Sequence, residues 1–234
     1  PPISYFAARL IKIPFILYAF DHYSTQWTIP LEKKFAEKYE KMICNNAEGL
    51  IVPNEFLKDI YHQLYSLDPV IIHNPCDLSN YNTQVKYVPI PRNRTIKIVY
   101  TGTIYNAHFD AFKSLLSAIN RVSNTQFELH IYTNQNQFLL QKDGIRGRVV
   151  FQEYLKTDFI PKIQQEADIL LLPLAFKSPY PEIIRTSSPG KMGEYLASGR
   201  PILVFAPADS YISWYFKKYQ CGLVIDNQDP NELL

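Results

Sequence analysis

The run Thr186-Ser-Ser-Pro-Gly-Lys-Met-Gly-Glu-Tyr-Leu-Ala-Ser-Gly-Arg-Pro201 constrains the fold of this chain more than any other stretch. It reads as a helix with marked ends. Ser188 is placed to cap the first free amides, and Pro189 suits the first helical position, where an N–H is not needed. Gly199 suits the left-handed residue that closes a helix, and Pro201 blocks continuation. Ile202–Phe205 follows as a buried strand. Asp168–Pro173 precedes as another, joined to the helix by a long irregular loop, Leu174 to Ser187. This order puts the helix N-terminus at the carboxyl end of a strand, where open α/β sheets bind ligands and where free amides and the helix dipole favour an anion.

Two charges make that helix a candidate site. Lys191 falls in its first turn, where a cation opposes the dipole and a purely structural helix would carry an acid. The placement makes sense if a phosphate arrives beside it. Glu194, three residues on, shares the same face and can accept hydrogen bonds from sugar hydroxyls. On a generic helix this spacing is a surface ion pair, and the Ser-Ser-Pro-Gly entry weighs against that explanation here.

The rest of the chain alternates strand and helix. Ile3–Ile11 reads as a helix and Pro14–Phe20 as a buried strand ending at Asp21-His22. Pro30–Asn45 is an amphipathic helix with Phe35, Tyr39, Met42 and Ile43 on its apolar side. Gly49–Val52 is a strand, Asn54–Leu64 a helix capped by Asn54, and Pro69–His73 a strand. A second series begins at Ile96–Gly102 and runs through helix 110–122, strand 127–132, a weak helix 135–142, strand 148–151 and helix 157–167. It continues through the central unit to helix 210–219 and strand 222–225. Such β-α-β alternation builds parallel sheets, and Ser79–Arg94, rich in Pro, Asn and Tyr, fits a linker between the two series.

Composition narrows the function classes. With 47% hydrophobic residues in 234, the chain has enough apolar material for one or two domains. A net charge of +2 leaves no electrostatic footprint for nucleic acid. Cys44, Cys76 and Cys221 have neither the number nor the spacing of a disulfide framework or a zinc site, so a reducing cytoplasm is expected. Arg9, Lys12 and Pro14 interrupt the apolar start, which is therefore not read as a membrane span or a signal peptide. The chain begins at Pro1 without methionine and stops at Glu232-Leu-Leu, where a helix would begin, so both ends are expected to be cut from something longer.

The central run resembles the donor-site signature of the family 4 (group 1) GT-B glycosyltransferases, in the Ser-Pro-x-Lys-x-x-Glu-Tyr-Leu-Ala-x-Gly-x-Pro form of a bacterial polysaccharide subgroup. Ser188, Pro189, Lys191, Glu194, Tyr195, Leu196, Ala197, Gly199 and Pro201 match it; Thr186 stands where the longer Glu-x7-Glu form has its first glutamate. The resemblance implies two Rossmann-like parallel-sheet domains, the first truncated. Residues 1–78 would be the closing part of an acceptor-side domain, ending in the segment Ile72–Asp77. Residues 79–94 would be the linker, and 95–234 the donor domain.

It also implies a metal-independent, hexosyltransferase-type enzyme that moves a sugar, with retention, from a nucleotide-diphosphate sugar to a surface-glycan or lipid-linked acceptor. Lys191 and Glu194 would carry the chemistry. Gly102, Thr103, Ser187, Ser188 and His108 would join them in holding the donor. No cofactor is expected, and the full-length protein could work at the inner face of the membrane as a peripheral enzyme.

Outside the signature the signals are weaker. The turn Thr101–His108 lacks the spacing of a nicotinamide fingerprint but resembles the Gly-Thr-Leu-Tyr turn of the same subgroup, with His108 nearest the place of a phosphate-neutralising arginine. Asp21 and His22 end a strand on the acceptor side, although neighbours on an extended backbone point apart. His62, His73 and His130 have no ligand spacing, and no Asp-x-Asp occurs to hold a diphosphate-bound cation. Lys177, Glu182 and Arg185 read as solvated loop charges. Two alternatives remain: a non-catalytic GT-B-fold binding module and a sugar-nucleotide epimerase.

Overall fold

The computed structural model describes residues 2–82, 94–123, 126–153 and 156–229. Most of the expected linker (83–93) and the expected helix start at Glu232 lie outside the described residues. The chain divides into two compact units: Pro1–Asn74 with Pro179–Ser188, and Pro75–Ser178 with Pro189–Leu234.

The first unit opens with α1 (Pro2–Ile11), β1 (Ile16–Tyr18), α2 (Pro30–Cys44), β2 (Gly49–Val52), α3 (Glu55–Tyr65) and β3 (Val70–Ile71). The strands pair in parallel in the order β1-β2-β3, with Tyr18 beside Ile51 and Ile51 beside Val70. Central β2 contributes Leu50 and Val52 to a core with Cys44, Leu57 and Tyr61. The α3 cap forms as expected: the Asn54 side chain accepts from the Leu57 amide at 2.9 Å.

Two expectations for this unit fail. The strand read over 14–20 as buried is three residues long and lies at the sheet edge, with Ile16 and Phe20 exposed. An apolar run alone does not tell an edge strand from a central one. In α2 the packed face is Ala36, Glu40, Ile43 and Cys44, while Phe35 and Tyr39 are exposed. The fold buries a glutamate there because it supplies the partners. Glu40 accepts from the Tyr61 and Tyr65 hydroxyls and the Tyr23 amide, at 2.9, 3.2 and 3.1 Å.

The second unit runs β4 (Ile96–Thr101), α4 (Phe109–Arg121), β5 (Phe127–Tyr132), α5 (Gln137–Lys142), β6 (Val149–Gln152), α6 (Ile160–Gln165) and β7 (Ile169–Pro173). The chain then returns to the first unit for α7 (Pro181–Thr186). It resumes the second with α8 (Lys191–Ser198), β8 (Ile202–Phe205), α9 (Tyr211–Tyr219) and β9 (Leu223–Ile225). All six strands are parallel in the order β6-β5-β4-β7-β8-β9. Strand order reverses between β4 and β7, so the crevice outside their carboxyl ends is the topological switch point. The core beneath it contains Tyr100, Phe112, Leu129, Leu171 and Phe205.

Two local readings around the central run are corrected. The loop expected over 174–187 contains α7, and α8 begins at Lys191 with Gly190 as its cap residue, not at a Ser188 cap with Pro189 first. Pro189 contributes instead its carbonyl, which accepts the Met192 amide at 2.9 Å. The far end is as read: Gly199 closes the helix at φ 68°, a conformation glycine adopts without steric penalty.

Candidate functional site

The turn after β4 and the first turn of α8 meet at the switch point. Gly102 has φ 125°, and a Cβ there would lie 3.1 Å from Lys191 Nζ. A side chain at that φ would be strained and would crowd the tip of the lysine, so glycine suits the turn beneath it. Lys191 Nζ donates to the Tyr100 hydroxyl at 3.3 Å and sits 4.8 Å from that ring's centroid. The same hydroxyl donates to the Thr103 carbonyl at 2.8 Å, which ties the turn to the strand below. Burial lowers the Lys191 pKa, and nearby Glu194 opposes that shift. No carboxylate of the described residues forms an ion pair with it. A desolvated ammonium seated on a phenol and a π-face, with no counter-charge in contact, is poised for an anionic ligand.

Glu194 faces away from that lysine contact, toward a separate scaffold. Its Oε2 accepts from Gln164 Nε2 at 2.9 Å, and Gln164 Oε1 in turn accepts from the Tyr81 hydroxyl at 2.7 Å. Gln164 is fully buried on α6 and also reaches Thr101 Oγ1 at 3.3 Å. The carboxylate lines a cavity of about 180 Å3 together with Cys76, Asp77, Tyr81, Thr157 and Pro161. Burial raises the Cys76 thiol pKa, with Glu194 and Asp77 adding to it. Tyr195, buried beneath, accepts from the Thr101 amide at 3.3 Å, and burial pushes its own pKa up to about 12.

The other expected site residues fall in several places. The Gly102 amide donates to Tyr132 O, and the Ile104 amide to Gln135 Oε1. Thr103, which is exposed, therefore has the one amide of the three with no acceptor among the described residues. His108 is buried at the head of α4, with Nδ1 lacking a partner among the described residues. Burial first and Lys191 second lower its pKa to about 3. Burial of this kind disfavours the charged imidazole and weighs against the cationic role expected in place of an arginine.

Ser187 and Ser188 belong to the first unit. The Ser187 amide donates to Ile184 O at 3.4 Å, and the Ser188 carbonyl accepts from Asn74 Nδ2 at 2.7 Å. Also in the first unit, Asp21 lines a cavity of about 290 Å3, its pKa raised by burial. His22 is buried instead against Ser24 and Glu40, each at 3.3 Å. Glu182 and Arg185 pair with each other on α7 at 3.1 Å. Among the described residues no group of three His, Cys, Asp or Glu is placed to hold a metal ion.

Tyr100, Gln164 and Tyr81 were not singled out in the sequence. Tyr100 was hidden in a run that reads only as buried strand. Gln164 did leave a trace, as a polar residue between Ile163 and Ala167 on the packed side of a helix.

The family model described as "Glycosyl transferases group 1" matches residues 95–234. Similar solved structures include sucrose-phosphate synthase from Thermosynechococcus elongatus, with a TM-score of 0.63 and 16% identity over 99% of this chain and 60% of that one. WaaG, a glycosyltransferase of lipopolysaccharide biosynthesis, matches with a TM-score of 0.65 and 15% identity over 93% of this chain and 63% of its own. Anabaena HepE, in complex with UDP and glucose, gives 0.65 and 12% over 99% and 63%. The chain thus spans less than two thirds of the length of these structures, which share the GT-B fold. A search of curated protein sequences gave no match.

Proposed function

Because the chain belongs to the group 1 glycosyl transferases, we propose that it forms part of a retaining, hexosyltransferase-type enzyme. The enzyme would move a sugar from a nucleoside-diphosphate sugar to a surface-glycan or lipid-linked acceptor. Residues 95–234 would bind the donor, 1–78 would belong to the acceptor side, and 79–94 would join them. The bound UDP and glucose in the similar HepE structure support a donor of this class.

The observation that supports the assignment most is the unpaired, desolvated Lys191 ammonium held over the Gly102 turn. As the sugar–phosphate bond breaks, negative charge builds on the departing diphosphate. A preorganised cation in a dry site stabilises that charge without having to reorganise. The Thr103 amide and the first turn of α8 add dipoles of the same sense. Glu194, already oriented by Gln164, accepts from the ribose hydroxyls. The lysine supplies the charge that a divalent cation supplies in other transferases, so transfer continues in the presence of a chelator.

The test is a panel of nucleotide sugars scored for hydrolysis, transfer and thermal shift with the wild type and Lys191→Ala. Loss of the lysine removes on the order of 2–4 kcal/mol of transition-state stabilisation and leaves the melting temperature nearly unchanged, because the ammonium forms no ion pair whose loss would weaken the fold. Intact turnover with a lowered melting temperature refutes the site.

One observation favours a second reading, a GT-B-fold module that binds donor without transfer. Thr186, at the place of the signature's first glutamate, is buried, and its hydroxyl donates to Glu182 O at 2.8 Å. A thermal shift without hydrolysis or transfer in the full-length protein selects that reading.

A further inference from the structure

We propose that Tyr81 and Gln164 are positioning residues for Glu194, so that the segment Tyr81-Asn82 and the ribose subsite form one coupled unit. This rests on the reading of Glu194 as the ribose contact and adds to it what aims the carboxylate. Gln164 is fully buried, and both ends of its amide are engaged. Its Nε2 donates to Glu194 Oε2 at 2.9 Å and to Thr101 Oγ1 at 3.3 Å, while its Oε1 accepts from the Tyr81 hydroxyl at 2.7 Å. Packing alone does not call for a glutamine there. A buried amide costs free energy unless its groups are paired, and an apolar side chain of similar volume carries no such cost.

The bonding also fixes a direction. Turned over, the amide would set Oε1 against Glu194 Oε2, an acceptor against an acceptor. The Tyr81 hydroxyl, donating into Oε1, holds the favourable setting from the other side. Glu194 Oε2 is thereby tied to the scaffold, while its Oε1 has no hydrogen-bond partner among the described residues and is left for a ligand. Gln165, the next residue of α6, clamps the neighbour of Tyr81. Its Nε2 donates to the Asn82 carbonyl at 2.9 Å, and its Oε1 accepts from the Asn82 amide at 3.3 Å. Two consecutive glutamines thus seat Tyr81-Asn82, and the first of them also holds Glu194. Linkage makes such coupling reciprocal: the seated segment aims the carboxylate, and a ligand that needs the aimed carboxylate favours the seated segment. Tyr81-Asn82 falls within 79–94, the stretch proposed to join the two units, so the coupling gives that stretch a hold on donor affinity.

Calorimetric titration of the full-length protein tests it, with the uridine, cytidine, adenosine and guanosine diphosphates and their 2′,3′-dideoxy counterparts. The ratio of the two affinities isolates the ribose. The wild type prefers the ribose form of its nucleotide by about tenfold or more. Gln164→Met keeps the volume, loses the amide and brings the ratio to within about threefold; Tyr81→Phe loses one hydroxyl and lowers the ratio by a smaller factor. Neither substitution lowers it further once Glu194→Gln is present. In hydrogen exchange, the ribose form slows the Asn82 amide more than the dideoxy form does. Should Gln164→Met fail to fold, Tyr81→Phe decides alone, since its ring still fills the same space. A purely structural role weakens both forms equally. A ratio that either folded variant leaves unchanged, or Asn82 exchange indifferent to the ribose, overturns the proposal and leaves the donor reading intact. A wild type that binds none of the diphosphates, or binds both forms alike, refutes the ribose reading and the proposal together.

Discussion

Lys191 and Glu194 stand one turn apart on α8 yet answer to different partners, one to Tyr100 over Gly102 and the other to Gln164 beside Tyr81. That separation gives the glutamate a ligand-dependent sign. A carboxylate near a phosphate subsite repels a bare anion, whereas a ribose donates two hydroxyls to it, and charge-assisted hydrogen bonds contribute roughly 1.5–3 kcal/mol. We expect Glu194→Gln to weaken a nucleoside diphosphate about tenfold or more and to leave inorganic pyrophosphate unchanged or slightly tighter. Calorimetric titration of both ligands against both proteins reads this directly. Equal losses would mean that the carboxylate only holds α8 in place through Gln164.

At the level of elements, Asn54 joins two parts of the first unit that are distant in the chain. Its Oδ1 caps α3 while its Nδ2 donates to Thr186 O at 2.8 Å, fastening the end of α7, and the residue is fully buried. Removing the amide leaves a helix amide and a carbonyl without partners in a dry setting. Asn54→Ala should therefore cost about 2 kcal/mol or more, above the usual ~1 kcal/mol for a lost cap. Asn54→Asp should recover the cap but not the α7 contact, because a carboxylate cannot donate to a carbonyl. Urea denaturation of the three proteins separates the two contributions; equal losses in both variants would show that the Thr186 contact carries all of the effect.

Across the whole molecule, acid should destabilise both units, for opposite kinds of group. His108 in the second unit is buried neutral with a pKa near 3, so below about 6.5 the unfolded chain takes a proton that the native chain refuses. Burial and Lys97 lower His130 in the same sense. In the first unit burial raises the Glu40 pKa, but His22, Ser24 and Tyr61 outweigh it and hold the carboxyl below its ordinary value. The stability Glu40 contributes is present above its unfolded pKa and is lost as pH falls through the folded one. Asp21, raised by burial, works the other way. The free energy of unfolding should thus fall between pH ~6.5 and ~4, with a slope of up to roughly 1.4 kcal/mol per unit for each refusing histidine. His108→Phe should flatten that slope; an unchanged slope in urea titrations would show that His108 is protonated in the native state.

Local chemistry in the sequence determined the alternating elements, the Asn54 cap, the Gly199 terminus and the placement of a cation and an acid on one helix turn. Each of these depends on residues within a few positions of one another, so periodicity and capping reveal them. The same local rules misplaced the start of α8 and passed over α7. A proline in the first turn looks alike whether or not the preceding serine caps, and a short helix carried to another unit leaves little periodicity to read. Which apolar stripe of α2 faces the core was also beyond them, since Glu40 could be buried only once Tyr61 and Tyr65 were brought to it. The seat of Lys191 depends on Tyr100, 91 residues away in the chain, and the bond orienting Glu194's partner spans 83. Only the parallel order β6-β5-β4-β7-β8-β9, which sets β4 against β7, brings those side chains to one place. That is a matter of long-range pairing, for which no window of sequence carries a signal.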